Sequence, residues 1–195
     1  MRLPNTAYTA RPWRIHELVG EFVLEDVWKL PTPGGPDEFA RFVEIYSDES
    51  RSKGSFIANA LFEIRWKLGA LLGLDESNAG LDSRVSSLRD RLPEDLRTGP
   101  RGPDFGVFTS LYLTDDEWAA ELANRTCHAV MHMGWVSDGA GCYHAEMAVL
   151  VKPNGLFGKL YMAGIKPFRH WLVYPPIFRS IAREWQRRNV GRIAD

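Results

Sequence analysis

From Tyr143 to Val151 the chain alternates. Tyr143, Ala145, Met147, Val149 and Val151 fall on one side, and His144, Glu146, Ala148 and Leu150 on the other. A period of two is that of an extended strand. Ser137-Asp138-Gly139-Ala140-Gly141 precedes it as a turn, and Thr126 to Val136, which opens on Thr126-Cys127-His128-Ala129-Val130, poor in strong helix formers, supplies the other arm of a hairpin. Pro153-Asn154-Gly155 ends the second strand, and the period then changes. Phe157, Leu160, Tyr161, Gly164, Phe168, Trp171, Leu172, Phe178, Ile181 and Trp185 recur at helical spacing, which predicts the longest helix of the chain. Pro167 and the pair Pro175-Pro176 remove amide donors and crowd the preceding turn, so kinks or a break are expected there.

Upstream, the first third mixes an extended start with helices. Pro31-Thr32-Pro33-Gly34-Gly35-Pro36 is a loop, and Pro36 opens a short helix with Phe39, Phe42, Val43 and Tyr46 as its apolar stripe. A stronger helix is expected from Ser55 to Leu72, stopping at Gly73, and a more polar one from Ser83 to Leu92, with Val85, Leu88 and Leu92 inward and Arg84, Arg89 and Arg91 solvated. Pro93 to Asp104 reads as a linker within one domain, because the helices before it need a sheet and the strands after it need covering. Val107 to Leu113 reads as a strand. Beyond it two templates compete: a capping box at Thr114-Asp115-Asp116-Glu117 opening a helix through Trp118 and Leu122, or a strand through Leu122, a turn at Asn124-Arg125 and a strand from Thr126. The residues favour the strand.

Composition narrows the class. A chain of 195 residues with 45% apolar and 12% aromatic residues suits one domain spanning 1–195, and 24 basic against 25 acidic residues give nucleic acid no electrostatic footprint. The two cysteines, Cys127 and Cys142, are too few for a disulfide framework and read as reduced. Met1 to Thr9 lacks the apolar run of a signal peptide, so a cytoplasmic protein is expected. Leu156 to Phe178, the most apolar stretch, is interrupted by Lys159, Lys166, Arg169 and His170 and is not expected to span a membrane.

Candidate chemistry is sparse. No glycine-rich phosphate loop, no Cys-x-x-Cys and no His-Glu-x-x-His is present, so no cofactor and no metal are expected. On a strand His128 and His132 stand roughly 13 Å apart, too far to share one ion, and read as core or wall histidines. If Val136 pairs opposite Tyr143, both point to the Tyr143–Val151 face, and a one-residue slip reverses that. His144 and Glu146 share a face and could do acid–base work, against the simpler reading of a solvated outer face. Asp115-Asp116-Glu117 fits a turn running into a strand. Arg179, Arg183, Arg187, Arg188 and Arg192 give the last helix a basic end that could touch an acidic partner or membrane surface, against the simpler reading that it complements the helix dipole.

Several stretches carry a resemblance: Ile15-His16-Glu17-Leu18, Glu25-Asp26-Val27-Trp28, Leu111-Tyr112-Leu113-Thr114-Asp115-Asp116-Glu117, Asn124-Arg125-Thr126 with His128, Lys152-Pro153-Asn154-Gly155-Leu156-Phe157-Gly158, and Ile165-Lys166-Pro167-Phe168-Arg169-His170. Together they resemble an uncharacterised bacterial family, a domain of unknown function similar to the START-like (SRPBCC, Bet v 1-like) helix-grip superfamily. The resemblance implies an α+β helix-grip fold, a curved antiparallel sheet packed on a long C-terminal helix with short helices in the N-terminal half. It also implies a cavity between sheet and helix, and no established active-site residues. The expected function is binding of a small hydrophobic or aromatic molecule, with Tyr112, His128, His132, Met147, Tyr161 and Trp171 as cavity candidates. Met131, Met133 and Trp135 could join them. The enzyme alternative is a cyclisation, dehydration or hydrolysis with His128 or His132 as base beside Tyr112 or Glu146. The third is an interaction module that buries its amphipathic helix in a homodimer.

Overall fold

The computed structural model describes residues 1–47, 85–124, 126–155, 158, 162–164, 170 and 174–190. Their centre is a five-stranded antiparallel sheet of β1 (Val23–Lys29), β2 (Thr109–Leu113), β3 (Glu117–Ala123), β4 (Cys127–Ser137) and β5 (Tyr143–Pro153), in the order β1-β5-β4-β3-β2. Strands β2 to β5 meander, and β1 comes from the far end of the sequence to close the β5 edge. The strand reading of 118–136 therefore holds, and the expected strand from Val107 begins at Thr109.

The hairpin register differs from the one first considered. Val136 faces His144, and Tyr143 faces Ser137. That slip of one residue puts His128 and His132 on the side of His144, Glu146, Ala148 and Leu150, opposite the side carrying Tyr143, Ala145, Met147, Val149 and Val151.

Both faces are covered. Over the Met147 side lie α2 (Phe39–Ser47) and α4 (Tyr174–Val190), packing Phe39, Phe42, Ile177, Ile181 and Trp185 on Trp118, Met131, Met133, Trp135 and Met147. This is the helix-grip arrangement. Pro175 and Pro176 stand at the start of the described α4, and residues 171–173 just before it lie outside the described residues. Asp26 of β1, buried, ties the start of α4 down: it accepts from the Tyr174 hydroxyl at 3.3 Å and bonds the His170 ring. The expected helix Ser55–Leu72 lies outside the described residues, as do Tyr161, Pro167, Trp171 and Leu172 of the C-terminal periodicity.

Over the His132 side lie α1 (Asn5–Thr9), a 3-10 turn at Arg14–Glu17, a second at Leu88–Arg91, and α3 (Glu94–Thr98). Of the helix expected over Ser83–Leu92, the described residues 85–92 form only that second turn. Its start is set by the Ser87 hydroxyl, which accepts from the Arg89 amide at 3.1 Å, and Pro93 cuts it short. Leu88 and Leu92 are buried as expected, while Arg89 donates to the Leu111 carbonyl at 3.0 Å instead of standing free in solvent. The stretch expected to be a linker carries α3, which buries Leu96.

Two resembling motifs meet at one corner of the sheet. Asn124 Oδ1 accepts from the amides of Thr126 and Cys127 at 2.8 and 3.0 Å, and its carbonyl accepts from Asn154 Nδ2 at 2.9 Å. Gly155 has φ +64°, and a Cβ on Gly158 would stand 2.2 Å from the Thr126 carbonyl oxygen. These residues serve the β4–β5 corner, which accounts for their types without chemistry.

Candidate functional site

The strand pairings place Tyr112, Ala119, His132, Ala148 and Val27 in one row across the His132 face, with Glu117, Gly134, Glu146 and Lys29 in the next. Alternation along β3 sends Glu117 and Glu121 to the same side as His128 and His132, so the acids and imidazoles meet diagonally. His132 Nε2 lies 3.1 Å from Glu117 Oε2, and His128 Nε2 2.7 Å from Glu121 Oε2. All four residues are buried.

Each glutamate also receives the opening of a covering turn. Glu117 accepts from the Arg14 amide at 2.8 Å, the Ile15 amide at 3.4 Å and the Tyr112 hydroxyl at 3.0 Å. Glu121 accepts from the Leu88 amide at 3.1 Å and from the Ser87 hydroxyl. Burial by itself would raise both carboxyls, but the hydrogen bonds, led by those of His132 and His128, hold both below the usual carboxylate range. Burial lowers His132 below the ordinary imidazole value, so it is neutral beside an ionised Glu117. A carboxylate only accepts, so His132 Nε2 carries the proton and donates. His132 Nδ1 is then a bare acceptor.

The His132 ring packs against the N-terminal segment. The Tyr8 and Trp13 rings stand 5.4 and 5.3 Å from the His132 ring, and His16 stands 5.0 Å from Tyr8. Trp13 lies on Gly134, where a Cβ would come within 2.7 Å of the indole. Arg11, 6.0 Å from the Trp13 ring, bonds Glu146 at 3.3 Å, and Glu146 Oε1 lies 3.4 Å from His144 Nε2. His144 is held below the ordinary imidazole value, by burial first and then by Lys29. The solvated outer face expected for His144 and Glu146 is thus wrong: the segment around Arg11 and Trp13 covers them, leaving 8% and 5% exposed.

Six buried polar atoms in this neighbourhood have no hydrogen-bond partner: Tyr8 Oη, Arg11 Nε, Trp13 Nε1, His16 Nε2, His132 Nδ1 and Glu146 Oε2. Trp28 Nε1, elsewhere, is the one other such atom among the described residues. Burial, and then the charge of Glu117, push the Tyr8 phenol up, so its hydroxyl stays protonated and a donor.

Of the cavity candidates, Tyr112 and His132 are brought together through Glu117, His128 stands on the same face with its own glutamate, and Met147 is on the opposite face among the rings of α2 and α4. Tyr161 and Trp171 are outside the described residues. Among those residues no three of His, Cys, Asp and Glu gather as metal ligands. Tyr8, Arg11 and Trp13 gave no signal in sequence. Glu117 read only as part of a turn running into a strand and Glu121 did not stand out; the one signal for them is a four-residue spacing that mirrors that of His128 and His132 across the turn at Asn124.

Residues 18–176 match a family described as a protein of unknown function, DUF2867. The chain belongs to this family. The sheet side of the His132 site lies inside the matched span of the DUF2867 domain, and Tyr8 to His16 lie before it. No curated protein and no solved structure matches the chain.

Proposed function

We propose that this DUF2867 protein binds a small molecule on the His132 face of its sheet, against Tyr8, Trp13 and His16, and that His132, Tyr8 and Trp13 hold the polar part of that molecule. The observation that carries the reading is the gathering of six unpartnered buried polar atoms at one place. Leaving one such group unpaired costs about 1–3 kcal/mol, and folded proteins leave few. Elsewhere in this fold Glu121, Ser110, Thr126 and the Trp118 indole are buried and bonded. Aromatic walls with a few convergent polar groups are what small-molecule sites are built from. The helix-grip arrangement supports a START-like kinship for the family, and Cys127 and Cys142, neither of them in a disulfide, fit a reducing cytoplasm.

A second reading has its own support. Glu117 orients His132 as a carboxylate orients a catalytic imidazole, so an acid–base reaction on the bound molecule is compatible with the same geometry.

Native mass spectrometry of the purified full chain tests the binding reading. The expected result is a reproducible small-molecule adduct that is lost in His132→Leu and retained in Met147→Leu. A chain that carries none, or an adduct lost only in Met147→Leu, would place the function elsewhere.

A further inference from the structure

We propose that residues Thr9 to Trp13 form a flap that lifts from the sheet when His144 takes up a proton, drawing the Trp13 indole off Gly134 and baring one side of the His132 ring. Access to the binding site is what the motion serves, and in that role it rests on the binding reading above.

The flap is joined to the sheet by little. Thr9, Ala10 and Pro12 are exposed, Arg11 is half-buried, and Trp13 is the one buried residue of the five. Its backbone bonds stay inside the N-terminal segment: the Ala10 and Arg11 amides donate to the Thr6 and Tyr8 carbonyls, and the Trp13 carbonyl accepts from the His16 amide, each at 3.1 Å. Among the described residues, Arg11 to Glu146 is the one hydrogen bond that ties the flap to a strand. On either side the chain is fixed, by the buried Tyr8 of α1 and by the Arg14 and Ile15 amides on Glu117. Lifting exposes one indole and gives water to Trp13 Nε1 and Arg11 Nε, which are buried without a partner in the closed arrangement. The second effect offsets part of the first, so the flap opens at a lower cost than the sheet. The space vacated over Gly134, beside His132, is that of the indole itself.

Glu146 is the latch. Arg11 Nη2 lies 3.3 Å from its Oε1 and His144 Nε2 lies 3.4 Å from the same oxygen, so a guanidinium and an imidazole share one acceptor. Around His144 stand Lys29 of β1, Glu146 of β5, Arg11 of the flap and Asp138 of the β4–β5 turn, while its partner on β4, Val136, carries no charge. A protonated His144 repels Lys29 and Arg11. Lys29 belongs to the sheet, and Asp138 is held by the Ala140 and Cys142 amides, so Arg11 is the charge that can leave. The sign follows from linkage. Burial, then Lys29, keeps His144 below its ordinary value of 6.5 while the flap is closed, and an open flap hydrates it and removes Arg11. The open arrangement therefore binds the proton more readily and gains population as pH falls below 6.5.

The test is fluorine NMR of the full chain labelled with fluorotryptophan, the Trp13 signal being assigned with Trp13→Phe and its contact with water read from its shift between light and heavy water. From about pH 8 to about pH 5 that contact is expected to rise several-fold at Trp13 and to stay unchanged at Trp118 and Trp185, 0% and 1% exposed. His144→Gln is expected to remove most of the rise. Glu146→Gln, which takes away the charge that holds Arg11, is expected to show the raised contact already at about pH 8, and it keeps the test open if His144→Gln does not fold. A Trp13 signal that stays dry throughout, one that rises together with Trp118 and Trp185, a rise undiminished in His144→Gln, or a dry Trp13 in Glu146→Gln would overturn the flap. All four leave the adduct test of the binding reading as it was. A chain without an adduct whose Trp13 still opens would strike the binding reading and keep the flap.

Discussion

Gly134 shows how single residues shape this site. With Trp13 seated where its Cβ would be, Gly134→Ala must displace the indole, and a loss of about 1–3 kcal/mol in urea unfolding is expected, with a shift in tryptophan emission. Glu117 matters more, because four donors converge on it. Glu117→Ala strands the Arg14 and Ile15 amides and the His132 N–H, and a loss of about 3–5 kcal/mol is expected. Little of this was legible in sequence. A glutamate at the mouth of a turn resembles any solvated acid until the strand register is known, and the register differed by one residue from the one considered. The histidines were found from their type alone; their face was not, because a period of two carries no information about which side is which.

At the level of elements the strands were readable, because β-branched and aromatic alternation survives in β4 and β5 whatever covers them. What local pattern could not show is pairing between distant segments. β1 joins β5 across more than half of the chain, and the N-terminal segment covers a face that alternation alone suggested was wet. Proline makes a related point, since it disturbs a helix in its interior and is tolerated in a first turn, the place that Pro175 and Pro176 hold in the described α4. Pro176→Ala is therefore expected to change stability by less than about 1 kcal/mol in thermal unfolding, whereas Trp185→Ala, 1% exposed between α2 and the sheet, is expected to cost about 3–5 kcal/mol. The turn at Arg14–Glu17 depends on Glu117 and the turn at Leu88–Arg91 on Glu121, so Glu121→Ala should speed hydrogen exchange at the Leu88 amide and leave that of Ile15 slow.

For the whole molecule the buried pairs set a pH dependence. Glu117 and Glu121 ionise more readily folded than unfolded, so their stabilisation is complete above the ordinary value of 4.5 and is lost as pH falls from there to their folded values. His132 and His144 take up a proton less readily folded than unfolded, so stability also falls as pH drops from 6.5 toward their lower folded values. The unfolded chain binds more protons in both ranges. Urea midpoints should therefore decline in two stages on acidification, and His132→Phe should flatten the first.

Three layers result: an N-terminal cover, the sheet, and the helices α2 and α4. No helix among the described residues is long and apolar enough to cross a membrane. The helix side packs apolar rings and sulfurs, while the covered side gathers six of the seven unpartnered buried polar atoms among the described residues, and on that asymmetry the proposed binding rests. Its centre is the state of one ring. The long-range proton–nitrogen spectrum of the imidazoles should show His132 neutral, protonated on Nε2 and bare on Nδ1, through the range in which an exposed histidine takes up its proton. A His132 ring that is doubly protonated at neutral pH, or that carries its proton on Nδ1, would contradict the account.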